Sequence, residues 1–267
     1  MLIFAMIYSK FEHLSFFTNN IFRTYKVLLH KNIRKLFILK KANIIMKKNM
    51  LYKGLAKYYD LIYSWKNYKK ESDKILKINS KYKKSDGKDL LEAGCGTGHH
   101  LKYLKRYFRC IGTDINKDIL NIAKKNNPTI IFKQDDMVNM KFNKKFDIII
   151  SMFSSIGYVK TYANLKKTIK NFSKHLNKGG IAIIEPWFSP DNFRQGHAHM
   201  NIYDGKEIKI ARITQSKKKG NLSTLEMHYL IAESNKVKYL KDRHELGLFD
   251  TKKTIDILFG GTKKEDY

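Results

Sequence analysis

Short apolar runs alternate with amphipathic stretches between residues 69 and 187, and beyond residue 200 the rhythm changes to strict in-out alternation. The first regime opens with a helix over 69–82, where Ile75, Leu76 and Ile78 recur at a spacing that lays one helix face on a sheet. Asp89-Leu90-Leu91-Glu92-Ala93 follows as a short strand that breaks into Gly94-Cys95-Gly96-Thr97-Gly98 and a helix over 99–107. Further strands are predicted over 110–113, 129–132 running out to Gln134, 146–150 and 181–187, with helices over 117–126 and 165–176 between them. This β-α alternation predicts a parallel sheet flanked by helices. The run 146–150 is apolar enough to be buried on both faces. In the second regime 208–214, 222–231 and 237–248 alternate, separated by Lys217-Lys218-Lys219-Gly220-Asn221 and Glu233-Ser234-Asn235. That pattern predicts antiparallel hairpins, a small added sheet covering a pocket, before a last helix over 252–259.

The glycine turn carries the first candidate chemistry. Without a Cβ at 94, 96 and 98 the backbone can approach a ligand closely, and the helix that follows aims its unpaired N–H groups at the turn. Asp114 ends the next strand, sixteen residues after Gly98, where a carboxylate can accept both hydroxyls of a ribose. Asp136 and Met137 end the third strand, and an acid followed by a thioether suits an adenine amine and ring. The fourth strand runs into Ser151-Met152-Phe153-Ser154-Ser155-Ile156-Gly157-Tyr158. The carboxyl ends of strands line the ligand crevice in a doubly wound sheet, so this loop belongs beside the reacting group.

Charge adds a competing consideration. The 267 residues hold 53 basic and 24 acidic side chains, a net charge of +29 that could suit nucleic acid or anionic lipid. Only seven of the 53 are arginines, however, and the lysines are spread along a chain rich in Asn and Ile. A compositional bias of the source is the favoured explanation, since a nucleic-acid groove favours clustered arginine and exposed aromatics. Cys95 and Cys110 make neither a disulfide framework nor a metal set, which fits a reducing cytoplasm. The apolar share of 43% is enough for a buried core.

Residues 1–45 are apolar, aromatic and basic with the single acid Glu12, and the favoured reading places them outside the fold. Two readings stay open there: a membrane-surface amphipathic segment, or an extension ahead of a true start at Met46 or Met50. Met1 to Tyr8 is too short to span a bilayer and has no basic residues ahead of it as a signal peptide would. From Leu51 to Tyr68 aromatics crowd a helix-and-turn segment containing Tyr58-Tyr59-Asp60. They serve either as anchors onto the core or as a lid over the cofactor.

Glu92-Ala93-Gly94-Cys95-Gly96-Thr97-Gly98 resembles motif I of the class I S-adenosylmethionine (SAM) methyltransferases and lacks both the dinucleotide and the phosphate-loop spacing. More narrowly, Phe153-Ser154-Ser155-Ile156-Gly157-Tyr158, Glu185-Pro186-Trp187, the stretch 212–229 and 244–249 resemble the TDP-3-amino-trideoxyhexose N,N-dimethyltransferases. The likeness runs from about Tyr52 to Phe249. It implies an α/β fold: a Rossmann-like parallel sheet over 46–190, an antiparallel insertion over 191–249 and a C-terminal helix and tail over 250–267. It further implies SAM as cofactor, a homodimer, and a nucleotide-linked amino sugar as acceptor, with no nucleic-acid partner and no membrane span. Tyr59, Glu92, Ala93, Gly94, Cys95, Gly96, Gly98, Asp114, Ile115, Asp136, Met137 and Met152 are the implied cofactor contacts. Tyr52, Tyr68, Ser154, Ser155, Pro186, Trp187 and Arg212 are the implied substrate contacts, and Tyr158, His228 and Glu185 the candidate proton acceptors. Arg212 could hold a diphosphate through its forked donors and Trp187 could pack on a sugar or base face.

Two departures qualify the likeness. Relatives continue beyond the last helix into a closing β-hairpin, whereas this sequence stops at Tyr267, so the open sheet edge calls for more chain or a partner. Tyr158 also stands where some relatives carry a histidine base. No Asn/Asp-Pro-Pro-aromatic run follows the fourth strand, which counts against a nucleic-acid base as acceptor. The competing readings are a methyltransferase of another small molecule, and a basic nucleic-acid- or membrane-binding protein with an inactive methyltransferase fold.

Overall fold

The computed structural model describes the backbone of residues 3–6 and residues 55–259 of the chain. Six strands form one parallel sheet: β1 (Ile3–Met6), β2 (Asp89–Ala93), β3 (Arg109–Asp114), β4 (Ile131–Gln134), β5 (Phe146–Ser151) and β6 (Leu176–Ile184), in the order β1-β6-β5-β2-β3-β4. The order reverses between β2 and β5, so the carboxyl ends of those two strands flank the crevice of the doubly wound sheet. Every residue of β5 is buried. Leu91, Ala93, Ile149, Ala182 and Ile184 build a core on one face of the sheet. Their alternates Leu90, Ile148, Ile150, Ile181 and Ile183 build one on the other, packed with Ile75, Leu101 and Leu120.

Side-chain caps set the helix starts. The short helix α1 covers Tyr59–Ile62. In α2 (Tyr68–Tyr82) Asn67 accepts from the Lys70 N–H at 2.9 Å; in α4 (Lys117–Asn126) Asn116 accepts from Ile119 at 3.0 Å. In α5 (Tyr162–His175) Thr161 accepts from Asn164 at 3.2 Å. The cap on Thr161 starts α5 three residues ahead of the predicted Leu165, because Tyr162, Ala163 and Asn164 carry no apolar periodicity of their own. Between them α3 (His99–Leu104) is shorter than the predicted 99–107, and it begins at Gly98 in the left-handed region. The last helix, α6, covers Thr251–Phe259.

The inserted sheet has four antiparallel strands, β7 (Ala198–Asp204), β8 (Ile208–Lys219), β9 (Leu222–Glu233) and β10 (Lys236–Gly247), in the order β10-β9-β8-β7. Its inner face packs Ile210, Met227, Tyr229 and Ile231 against Leu55, Tyr58, Tyr59, Ile62 and Tyr63, so the aromatic segment lies between the two sheets.

The sheet edge expected to stand open is paired. Ile3, Phe4, Ala5 and Met6 run parallel to Ile181, Ala182, Ile183 and Ile184, which satisfies the β6 backbone from within the chain. Four residues of the stretch expected outside the fold therefore belong to the sheet. A continuous apolar run too short for a membrane span has the length and composition of a strand. Among the described residues no helix is long and apolar enough to cross a membrane.

Candidate active site

Gly94 and Gly96 form the floor of the crevice. Gly94 has φ +77°, and a Cβ there would lie 2.7 Å from the Ser155 Cβ and 3.3 Å from the Met137 methyl. Gly96, at φ +55°, faces Tyr59, whose hydroxyl lies 3.7 Å from where a Cβ would stand. A side chain at Gly96 would thus fill the space between turn and lid. The Asp114 carboxylate braces this loop, accepting from the Gly96 N–H at 3.1 Å and the Asn116 N–H at 2.9 Å. Burial lifts its pKa above the ordinary carboxylate value although both N–H bonds oppose the shift. Each oxygen keeps a second lone pair for a hydroxyl.

Glu92 is held from the other side. It is 1% exposed; its Oε1 meets His100 Nδ1 at 2.9 Å, while His100 Nε2 meets Glu71 Oε2 at 2.8 Å. Burial works against the imidazolium, yet the two flanking carboxylates outweigh it and lift the His100 pKa to about 9. Lys66 pairs with the outer carboxylate, Glu71. Glu92 Oε2 is buried without a hydrogen-bond partner, an acceptor suited to a ligand ammonium. His100, Glu71 and Lys66 had no signal in the sequence, because the cluster joins α2, α3 and β2.

The aromatic segment is tied to the glycine turn by Asp60 of α1. Its Oδ1 accepts from Thr97 Oγ1 at 2.7 Å and lies 3.1 Å from His99 Nε2. Tyr68 stacks on His99, with ring centroids 4.6 Å apart. Tyr59 packs on Tyr63 at 4.8 Å, and Tyr63 meets Phe153 edge-on at 5.1 Å.

The loop after β5 is strained where it faces the lid: Phe153 and Ser154 take φ values of 50° and 58°, unusual for residues with a Cβ. Three bonds hold it there. Glu185 Oε2 accepts from the Phe153 N–H at 2.7 Å, Ser154 donates to the Pro186 carbonyl at 3.1 Å, and Ser155 donates to the Gly94 carbonyl at 3.2 Å. Trp187 donates to Ser223 at 3.0 Å, joining this loop to β9. Behind it lies Arg212 of β8, 7% exposed, donating to the Tyr63 hydroxyl at 3.0 Å and Asn201 Oδ1 at 2.6 Å. Its Nε is buried and has no partner.

His228 is placed away from the crevice, and the other expected contacts take these positions. His228 lies on the outer face of β9: it pairs in register with Ile213, which is exposed, and its Nδ1 meets the Tyr239 hydroxyl at 2.6 Å. The face change between neighbours on a strand is the reason, and the buried Tyr229 takes the inward position. Glu185, 5% exposed, accepts from the Phe153 N–H through Oε2 and so braces the loop after β5. Cys95 and Met152 turn their side chains into the core beside Phe132 and Leu101, leaving only their main chains at the crevice. Burial pushes the Cys95 thiol well above its ordinary pKa. Ala93 is fully buried, whereas Ile115 is exposed at the crevice rim. Asp136 is exposed and accepts from the Val138 N–H at 2.9 Å through Oδ1. Tyr52 lies outside the described residues. Among the described residues no group of three His, Cys, Asp or Glu side chains is placed to hold a metal ion.

Residues 90–180 match the family model of a methyltransferase domain. The chain is 32% identical over 198 residues to the dTDP-3-amino-3,4,6-trideoxy-alpha-D-glucopyranose N,N-dimethyltransferase of Streptomyces venezuelae, spanning 73% of this chain and 83% of that one. To the dTDP-3-amino-3,6-dideoxy-alpha-D-glucopyranose N,N-dimethyltransferase of Streptomyces fradiae it is 29% identical over 199 residues, 73% of this chain and 78% of the other. The crystal structure of Streptomyces venezuelae DesVI superposes with a TM-score of 0.72 at 31% identity, covering 76% of this chain and 87% of its own.

Fold, glycine turn and these likenesses together define a class I SAM-dependent methyltransferase. Within that class the chain belongs to the family of dTDP-amino-sugar N,N-dimethyltransferases. The residues present fit SAM: a cradle above Gly96 that a Cβ would fill, a braced acceptor in Asp114, and a buried, unpartnered Glu92 oxygen.

Proposed function

We propose that this enzyme methylates the amino group of a nucleotide-linked amino sugar. The observation that carries the reading is Arg212, a buried guanidinium with an unpartnered Nε, linked through Tyr63 to Tyr59, which faces Gly96. A buried cation held by neutral partners calls for an anion, and the forked donors of arginine match a diphosphate. Trp187, Tyr68 and the Phe153–Ser155 loop would flank the sugar between that anion and the cradle.

SAM, when bound, supplies an electrophilic methyl on a sulfonium. Gly96 and Asp114 would hold its ribosyl half, Met137 and Ile115 its adenine, and Glu92 its ammonium. Tyr59 closes the lid over the turn and, with Phe153, excludes water. The protein's principal contribution is to hold the amine lone pair in line with the carbon–sulfur bond, with the acceptor anchored through its diphosphate.

The outer face of the inserted sheet supports a homodimer. Met200, Ile202, Ile213, Leu230, Val237 and Tyr239 are all exposed there, and Ile202, Ala211, Leu230 and Tyr239 occupy one rung. A contiguous apolar face of this kind is unusual on a monomer. Cys95 and Cys110 as free thiols suit a reducing cytoplasm, and a small acceptor suits a crevice covered by a sheet better than a nucleic acid does.

Steady-state kinetics test the acceptor assignment. Arg212→Lys is expected to raise KM for a dTDP-linked amino sugar by about 10- to 100-fold, through loss of a bidentate charge-assisted contact, with SAM affinity unchanged. The free amino sugar lacking a nucleotide should be a poor substrate of both forms. Equal KM values for the two enzymes would remove the diphosphate assignment.

A further inference from the structure

Tyr158, His244 and Asp242 are linked by two short hydrogen bonds that neither cofactor nor acceptor binding accounts for. The Tyr158 hydroxyl lies 2.6 Å from His244 Nδ1, and His244 Nε2 lies 2.7 Å from Asp242 Oδ2. His244 is 0% and Asp242 1% exposed, whereas Tyr158 is half-buried on the turn Ser155–Val159 that continues the strained loop. Positions 242 and 244 share the inner face of β10, opposite Met227 and Leu225. Gly157 makes the approach possible, because a Cβ there would lie 3.0 Å from Leu246 and 3.1 Å from Trp187.

The hydrogen-bond direction follows from the chemistry. An ionised carboxylate only accepts, so Asp242 requires the proton on Nε2, and the bare Nδ1 must accept from the Tyr158 O–H. A tyrosine that donates in this way can accept a proton at the same oxygen. Other polar groups converge on the triad from the neighbouring elements. Tyr59 of α1 lies within electrostatic reach of Tyr158, and Arg212 of β8 and Tyr229 of β9 share the inner face with Asp242. Lys241, Arg243 and Glu245 alternate to the other face, where Glu245 pairs with Arg243 and Lys160.

We propose that Tyr158, backed by His244 and Asp242, takes the proton that the sugar amine must lose, an inference that rests on the amino-sugar reading. The ammonium N–H proton passes to Tyr158 Oη as the tyrosine's own proton passes to His244 Nδ1, leaving an imidazolium opposite Asp242. The freed nitrogen lone pair forms the new carbon–nitrogen bond while the carbon–sulfur pair leaves on sulfur, giving S-adenosylhomocysteine. The methylated nitrogen, again positively charged, sheds its next proton by the same route once His244 has released the first to solvent. Tyr158 is thus the catalytic group, and His244 and Asp242 position and load it. Of the three proton acceptors expected from the sequence, Tyr158, His228 and Glu185, the relay singles out Tyr158.

The test is the pH profile of kcat for the full-length enzyme with a dTDP-linked amino sugar, in wild type, Tyr158→Phe, His244→Gln, Asp242→Asn and the Tyr158→Phe/His244→Gln pair. Calorimetric SAM binding serves as the check that each variant folds. Each single variant is expected to lose about 100-fold in kcat near neutral pH and to regain activity as alkaline pH deprotonates the amine unaided. The pair should be no slower than the worse single, as for groups acting as one unit. Nitrogen-15 spectra should give His244 in the Nε2–H tautomer, and mixed tautomers in Asp242→Asn. Variants that bind SAM and keep the wild-type profile, or an Nδ1–H tautomer in the wild type, would overturn the relay alone. Wild-type enzyme that binds SAM but leaves the amine unmethylated would overturn the acceptor assignment and the relay with it.

Discussion

Glu92 owes its orientation to a histidine clamped between two carboxylates, and that clamp makes stability depend on pH. An exposed imidazole titrates near ~6.5, whereas His100 is lifted to about 9. The folded state is therefore favoured fully below pH ~6.5, and the contribution is lost as pH rises through about 9, amounting to roughly 3 kcal/mol. Thermal unfolding followed between these limits should give a wild-type Tm that falls with rising pH and a His100→Gln Tm that is lower at the acidic end and nearly flat. A wild-type Tm that does not move would contradict the clamp. At this scale the sequence was informative where a residue's type limits its geometry: Gly96 takes the positive φ that its turn needs, and Asp114 at the end of β3 accepts from its N–H. It was uninformative where the role depends on a partner far along the chain, as that of His100 does on Glu71 and that of His244 on Tyr158.

Elements were legible wherever one period dominated. The all-buried β5 and three strands of the inserted sheet, β8, β9 and β10, could be read from the pattern, because burial on two faces and on one face leave different sequences. Ends were harder: β6 begins at Leu176, inside the predicted helix, and β7 has polar and exposed residues that blur its alternation. His228 and His244 differ by an even number of positions on separate strands, so only the hairpin register decides which one faces inward. The aromatic lid gives the prediction proper to this scale. Asp60→Ala removes the bond that ties α1 to Thr97 and should weaken SAM binding about 10-fold by calorimetry, for the loss of one charge-assisted hydrogen bond of roughly 1.5 kcal/mol. Unchanged affinity would mean that the core contacts of Tyr58 and Ile62 hold the lid without it.

For the whole molecule, the inserted sheet has two chemically distinct faces. The inner one brings Arg212 and His244 to the crevice, and the outer one carries the apolar rung centred on Leu230. Leu230→Glu is expected to convert a dimer into monomers in light scattering while leaving the inner face intact; a wild-type monomer would show that this face has another use. The charge of +29 had no counterpart in the described site, which is built from a few buried groups and not from a basic surface. The most direct measurement of the central claim is mass spectrometry of the products formed from SAM and a dTDP-linked amino sugar. The expected products are S-adenosylhomocysteine and sugar nucleotide bearing one or two added methyl groups on nitrogen, with no methylation of the analogue that has a hydroxyl in place of the amine. Transfer to the hydroxyl analogue, or a sugar nucleotide recovered unmethylated from an enzyme that binds SAM, would contradict amine methylation as the reaction.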